Sequence, residues 1–322
     1  MRRRAFLRLA AAAALPAFAR RAAAQAYPTR PVRLIVGYSA GGTADIVARI
    51  IAQQLTERLG QPVVVENKPG ATTNIATQSV INAAPDGHTL LYVTAANATN
   101  ASLYSTLPFN FMRDIVPVAG LVEFTLVLVV NAALPVHSIG EFVAYARANP
   151  GKISMGSFGV GTTSHLSGEL LKLTTGIDTV HVPYRGGAPM ITDLVSGQVQ
   201  AAFDALPEAL PHIRTGALRP LAVTTAARAE SLPDIPTIGD TIPAYEASSW
   251  AGIGAPRGTP PAVIETLRRE TAAALADPAI RARLDDLGSA PWPLGPEAFG
   301  AYIATETEKW AKIIKDANIH AE

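Results

Sequence analysis

The sequence contains no cysteine. That excludes disulfides, thiolate metal sites, cysteine nucleophiles and a lipid anchor on an N-terminal cysteine, and a chain of 322 residues can bury an adequate core without cross-links. Charge is also scarce, at 16% against 48% hydrophobic residues. No Lys/Arg cluster occurs after residue 26, so neither nucleic acid nor an anionic membrane surface is an expected partner of the mature protein. No apolar run of about 18 residues follows residue 26, and nothing after it reads as a membrane span. The histidines, His88, His137, His165, His181, His212 and His320, lack His-x-x-x-His spacing, which argues against a zinc site. No metal and no cofactor is expected.

What is present begins with an export signal. Arg2, Arg3, Arg4 and Arg8 lead into an Ala/Leu-rich run that ends in Ala24-Gln25-Ala26, a small-residue cleavage pattern. Residues 1–26 are read as a signal peptide, cut before Tyr27. Within it Arg3-Arg4-Ala5-Phe6-Leu7-Arg8 is twin-arginine-like, and the ordinary secretory route stays open beside it. Cleavage removes six arginines and no acid, so 27 basic residues become 21 against 26 acidic ones, a net charge of −5. The mature protein is therefore expected to be mildly acidic, soluble, periplasmic and monomeric.

From Val32 onward short β-branched runs alternate with helical patterns, the grammar of helix-covered parallel sheets. Strands are predicted at Val32 to Val36, Val63 to Val65 and His88 to Val93. Helices are predicted from Ile46 to Leu59 and over about Thr73 to Ala83. The pattern restarts at Ser138-Ile139-Gly140-Glu141, a capping box. Strands at Lys152 to Gly156, Thr179 to Val182 and Val199 to Phe203 then alternate with helices near Ser164 to Leu173 and Pro189 to Ser196. Leu126 to Val130 is long enough to cross from one unit to another, and Ser249 to Gly254 suits a return. The fold class is thus α/β, with two sheets flanked by helices and joined by two crossing segments. Lobe 1 is placed at 27–126 and 250–322, and lobe 2 at 127–249. Helical patterns from Pro260 to Leu287 and Pro296 to Ala317 are expected to cover lobe 1.

Three segments each follow a predicted strand and precede a predicted helix, where open α/β sheets bind ligands. The first, Tyr38-Ser39-Ala40-Gly41-Gly42-Thr43-Ala44-Asp45, lets backbone approach a ligand and offers helix N–H groups to an anion. It is neither Gly-x-Gly-x-x-Gly nor a P-loop. The glycines alone serve a tight turn equally well. The second runs from Ser157 through Gly159, Gly161, Thr162 and Thr163 to His165, with hydroxyls and N–H groups at another helix start; His165 in the first turn suits packing or capping as well as binding. In the third, Tyr184 offers an apolar wall and Arg185 a bidentate partner for a carboxylate, followed by Gly186. Asp204, after the last strand, can take a ligand donor, orient a water or cap a helix.

In this order and after an export signal, Tyr38 to Asp45, Ser157 to His165, Val182-Pro183-Tyr184-Arg185-Gly186 and Phe203-Asp204 resemble the substrate-binding proteins of tripartite tricarboxylate transporters. That family is also called the Bordetella uptake gene family. The resemblance covers nearly all of residues 27–322 and includes Asn100-Ala101-Ser102-Leu103-Tyr104. It implies a two-lobed type II periplasmic binding protein. The expected ligand is a dicarboxylate, an aromatic carboxylate or an acidic amino acid, delivered to a membrane permease. The loops Tyr38 to Asp45 and Ser157 to Thr163 would grip the two ends of the ligand, and Tyr184, Arg185 and Asp204 would complete the cavity. The sequence departs from the common pattern at Ser39 and Ala40, which bears on cavity shape.

An enzyme would need a nucleophile with a base, a metal cluster or a cofactor cradle. Ser157, His165 and Asp204 have the residue types of a hydrolase triad but not the Gly-x-Ser-x-Gly context. The expectation is a binding protein and not an enzyme. A ligand sensor for a membrane receptor kinase is the alternative that the chain alone does not separate from transport.

Overall fold

The structure is a computed structural model that describes residues 27–243 and 245–321. The predicted signal peptide lies outside the described residues.

The chain opens with β1 (Val32–Val36), buried at every position but one. α1 (Thr43–Leu59) turns Val47, Ile50, Ile51 and Leu55 inward, each at most 2% exposed. Burying side chains of this size contributes about 1.5 to 3 kcal/mol apiece, which is what holds the helix on the sheet. Gly60 ends it at φ 69, a left-handed turn that returns its N–H to the Thr56 carbonyl. β2 (Val63–Asn67), α2 (Asn74–Ile81), β3 (Thr89–Thr94), α3 (Ala95–Leu103), α4 (Phe111–Asp114) and β4 (Ile115–Phe124) follow. After Thr125 the chain enters a second sheet with β5 (Leu126–Asn131). There α5 (Ile139–Ala148), β6 (Ser154–Ser157), α6 (Thr163–Thr175), β7 (Val180–Pro183), α7 (Gly187–Ser196), β8 (Ala201–Ala205), α8 (Leu206–Arg214) and β9 (Leu218–Val223) alternate. β10 (Ser249–Pro256) returns to the first sheet, and α9 (Pro261–Ala276), α10 (Pro278–Asp286), β11 (Ser289–Pro291) and α11 (Pro296–Asp316) end the chain.

The first sheet has the order β11-β4-β10-β3-β1-β2 and the second β7-β6-β8-β5-β9. Both are mixed. β1 pairs in parallel with β2 and β3, and β6 with β7 and β8, as the strand-helix alternation predicts. The crossing strands do otherwise: β10 runs antiparallel to β3 and β4, and β5 antiparallel to β8 and β9. A strand that arrives from the other sheet enters without a covering helix, so it is free of the parallel constraint of a β-α-β unit. The two crossings lie side by side. Thr224 N–H donates to the Leu126 carbonyl at 2.9 Å, and Ala247 N–H donates to the Thr224 carbonyl at 2.9 Å.

The C-terminal helices pack on the first sheet, but α11 reaches further than the sequence predicts. Trp310 and Ile314 share a buried cluster with Leu103 of α3, Leu166 of α6 and Ala247 of the second crossing. The apolar last turns of α11 thus cover the seam between the two halves. The charged end of Glu306 is taken by the indole N–H groups of Trp310 at 2.8 Å and Trp250 at 3.3 Å.

Candidate functional site

The carboxyl ends of β1, β3, β6 and β8 face one another across the seam. A cavity of about 40 Å³ lies between them. From the first half it is lined by Tyr38, the N-terminal turn of α1 (Gly42, Thr43, Ala44) and the start of α3 (Thr94, Ala95, Ala96). From the second half come Phe158, Thr162 and Thr163 at the start of α6, Gly187 at the start of α7, and Ala205 with Glu208 from β8 and α8. Phe124 and Ser249 from the crossings complete it. The first-turn N–H groups of a helix have no acceptor within it and carry the positive end of its dipole. Such ends, of α1, α3, α6, α7 and α8, border this one space.

The halves touch around its mouth. The Arg185 carbonyl accepts from Ser39 N–H at 3.0 Å and from the Ser39 hydroxyl at 3.1 Å. The Thr99 hydroxyl donates to the Gly161 carbonyl at 2.8 Å. Gly161 itself, at φ 75, packs so closely on Leu103 that a Cβ would collide with that side chain.

Of the residues singled out in the sequence, Tyr38, Gly42, Thr43, Thr162 and Thr163 line the cavity. Gly159, Tyr184 and Arg185 line a wider neighbouring groove of about 450 Å³, with Tyr38 and Phe158 shared between the two spaces. Tyr184 donates its hydroxyl to Asp193 at 2.7 Å, and burial together with that carboxylate pushes it up to about 12. Arg185 is exposed. Gly186, at φ 137, lies against Ser39 and Tyr38. The remaining residues, Ser39, Ala40, Gly41, Asp45, Ser157, Gly161, His165 and Asp204, line neither of these two spaces.

Two of these support the loops by a common device. Gly41 N–H, at φ 88, donates to Asp45 Oδ2 at 3.0 Å, and Gly161 N–H donates to His165 Nδ1 at 3.0 Å. The side chain four residues on, in the first helical turn, thus fixes each loop, and neither glycine keeps its N–H for a ligand. Burial opposes the Asp45 charge, but hydrogen bonds from Arg49 and Gly41 outweigh it and hold the carboxyl below its usual range.

The triad residue types do not assemble into a relay. Ser157 is 1% exposed and its Oγ lies 2.6 Å from Nε2 of His181, which stacks on His165 with ring centroids 3.7 Å apart. Burial, with help from His165, drives His181 down to about 3, so it stays neutral. Asp204 is fully buried, with Oδ1 accepting from Ala205 N–H at 2.9 Å, and no hydrogen bond among the described residues joins it to Ser157 or His165.

Sequence reasoning missed Glu208. It sits one helical turn after Asp204, on α8, and reaches across the seam to Thr43, whose N–H and hydroxyl both lie 3.4 Å from Oε2. Oε1 is buried without a partner, as is Asp204 Oδ2. Burial pushes Glu208 up to about 7 against those two weak hydrogen bonds; burial first and then the Glu208 charge raise Asp204 well above the carboxylate range. The available signal was positional: an acid in the first turn after a strand's carboxyl end.

A two-lobed α/β architecture with a cleft lined by strand ends and helix N-termini defines a periplasmic-binding-protein class of fold. Residues 47–319 match the tripartite tricarboxylate transporter family receptor, TctC, and the chain belongs to that family. Protein BugT of Bordetella pertussis is 36% identical over 296 residues, 91% of each chain. The R. palustris protein Rpa4515 with adipate superposes with a TM-score of 0.89 at 38% identity, over 91% of this chain and 99% of that one. MatC from Rhodopseudomonas palustris with bound malate gives 0.86 at 31% identity, over 89% and 100%. Among the described residues no helix is long and apolar enough to cross a membrane.

Proposed function

We propose that this chain is an exported periplasmic receptor that captures a small organic carboxylate between two lobes and presents it to a permease of the tripartite tricarboxylate type. It acts as a monomer and not as an enzyme. Lobe 1 comprises residues 27–126 and 250–322, and lobe 2 residues 127–249. The observation that carries the reading is the convergence of helix N-termini, those of α1, α6 and α7 among them, on one cavity at the seam. Such ends stabilise an anion without a fixed cation. The adipate and malate held by the two structural relatives are of the same chemical class. Thr43, Thr162, Thr163 and Tyr38 are the ligand-facing groups, while Asp45 and His165 hold the loops in place. The neighbouring groove lined by Tyr184 and Arg185 serves as the approach.

Hinge closure follows from the paired crossings at Leu126 and Ala247, a motion typical of periplasmic binding proteins. The test is calorimetry of the mature protein against mono-, di- and tricarboxylates, aromatic acids and acidic amino acids, with small-angle scattering on the best ligand. Binding with a fall in the radius of gyration is expected. No binding by any of these acids, or binding at an unchanged radius, overturns the reading.

A further inference from the structure

The cavity contains an acid where a carboxylate receptor would be expected to place a base. Among its described lining residues there is no Lys, Arg or His, and apart from the Tyr38 phenol the ionisable group is Glu208. The Glu208 carboxyl has one oxygen loosely held at the start of α1 and the other buried and unpartnered. Room for it is made by Gly187: a Cβ there would collide with the carboxyl.

Resting on the carboxylate reading of this cleft, we propose that Glu208 is its specificity-determining residue, the acceptor for an ammonium group on the ligand. The site then takes a carboxylate that carries an amine in preference to a plain dicarboxylate of the same backbone. An unpartnered oxygen of a buried carboxylate is costly. An ammonium group removes that cost by supplying both three N–H donors and the opposite charge. A second carboxylate facing Glu208 does the reverse, setting like charges together unless a proton is taken up.

The surroundings strengthen the argument from each packed element. On β8, Asp204 adds a second unpartnered acid oxygen. On α1, the charged pair Asp45 and Arg49 is closed on itself, with Arg49 Nε donating to Oδ2 at 3.0 Å. α7 has no charged residue in its first turn, and Arg185 before it is exposed on the neighbouring groove. Glu208 itself sits against the starts of α1 and α7, so the carboxylate end of the ligand is left to the N-terminal turn of α6 and the amine to Glu208.

The test uses the full mature protein and three pairs of ligands: aspartate with succinate, glutamate with glutarate, and 6-aminohexanoate with adipate. Calorimetry at pH 8 is expected to favour the amine-bearing member of at least one pair about tenfold or more. Glu208→Gln is expected to remove most of that ratio while binding of the dicarboxylate is kept or improved. Glu208→Ala, a second variant without the acceptor, should do the same, with circular dichroism reporting the fold. At pH 5.5 Glu208 of the wild type holds a proton and donates to a carboxylate, so the ratio should shrink. The proposal is overturned if no pair favours its amine-bearing member, or if both variants shift the two members of a pair equally, which would make Glu208 a latch between the lobes. Absence of binding by all six acids overturns the carboxylate reading itself, and this proposal with it.

Discussion

Two carboxylates meet the first turn of α1 from opposite lobes, and their surroundings drive them apart. Asp45 belongs to the helix and closes on Gly41 and Arg49 at 3.0 Å each, which lowers its proton affinity. Glu208 comes from α8 and finds only Thr43, at 3.4 Å, and burial raises its proton affinity to about 7. The first acid is therefore held well, with Oδ1 paired to Arg49 Nη2 at 2.9 Å, and the other barely. The difference lies in partners supplied: an acid meant for structure brings its own, whereas an acid left short has a vacancy for something else to fill.

A large effect is expected from breaking this comparison at Asp45. Asp45→Ala leaves Gly41 N–H without an acceptor and Arg49 without its pair, at a cost of about 1 to 3 kcal/mol. Asp45→Asn keeps an acceptor and should recover part of the loss. Because the folded Asp45 value lies below the unfolded one of about 3.9, its contribution is complete above that value and is lost only as pH falls through the folded one. The gap between wild type and Asp45→Ala in urea unfolding should therefore be flat from pH 5 to 8. A gap that changes steadily over that range would mean that Asp45 is not held as described.

Glu208 should behave in the opposite sense. A raised folded value makes folding take up a proton between about 4.3, the unfolded value, and about 7. Stability is therefore lost as pH rises through that window. Glu208→Gln removes the titration, so its melting temperature should match that of the wild type near pH 4.5 and exceed it increasingly up to pH 7.5. Equal profiles across the range would show that Glu208 is solvated in the ligand-free protein, and the contrast with Asp45 would disappear.

The contrast also marks what can be read in a sequence. Asp45 lies four residues after Gly41, so its role is local and the loop-helix pattern around it is legible. The same holds for His165 and Gly161, and for the strand-loop-helix order that brings Tyr38, Thr43, Thr162 and Thr163 to one place. Glu208 pairs with a residue 165 positions away, and an acid on a short helix reads as a solvated face. Strands were lost for a related reason. β4 carries Pro117 and Gly120, and β9 carries Pro220, so their alternation is broken, and only pairing with β10 and β5 reveals them. The antiparallel crossings were legible as apolar runs but not in direction, because direction depends on which sheet the chain enters.

The smallest effect sharpens the comparison most. Gly187 is the first residue of α7 and has no left-handed backbone, so alanine suits its conformation; the obstacle is the Glu208 carboxyl alone. That carboxyl is the far end of a flexible side chain and can swing away, so Gly187→Ala should change overall stability by less than about 1 kcal/mol. It should nevertheless uncouple Glu208 from Thr43. Residues in direct contact give non-additive effects, so adding Glu208→Gln to Gly187→Ala should raise the melting temperature at pH 7.5 less than adding it to the wild type. A double-mutant cycle at pH 7.5 and 4.5 measures this, with coupling expected at the higher pH and little at the lower. Full additivity at both would mean that Glu208 does not occupy the space that the missing Gly187 side chain leaves, and that the carboxyl beside Thr43 is held there by something other than room.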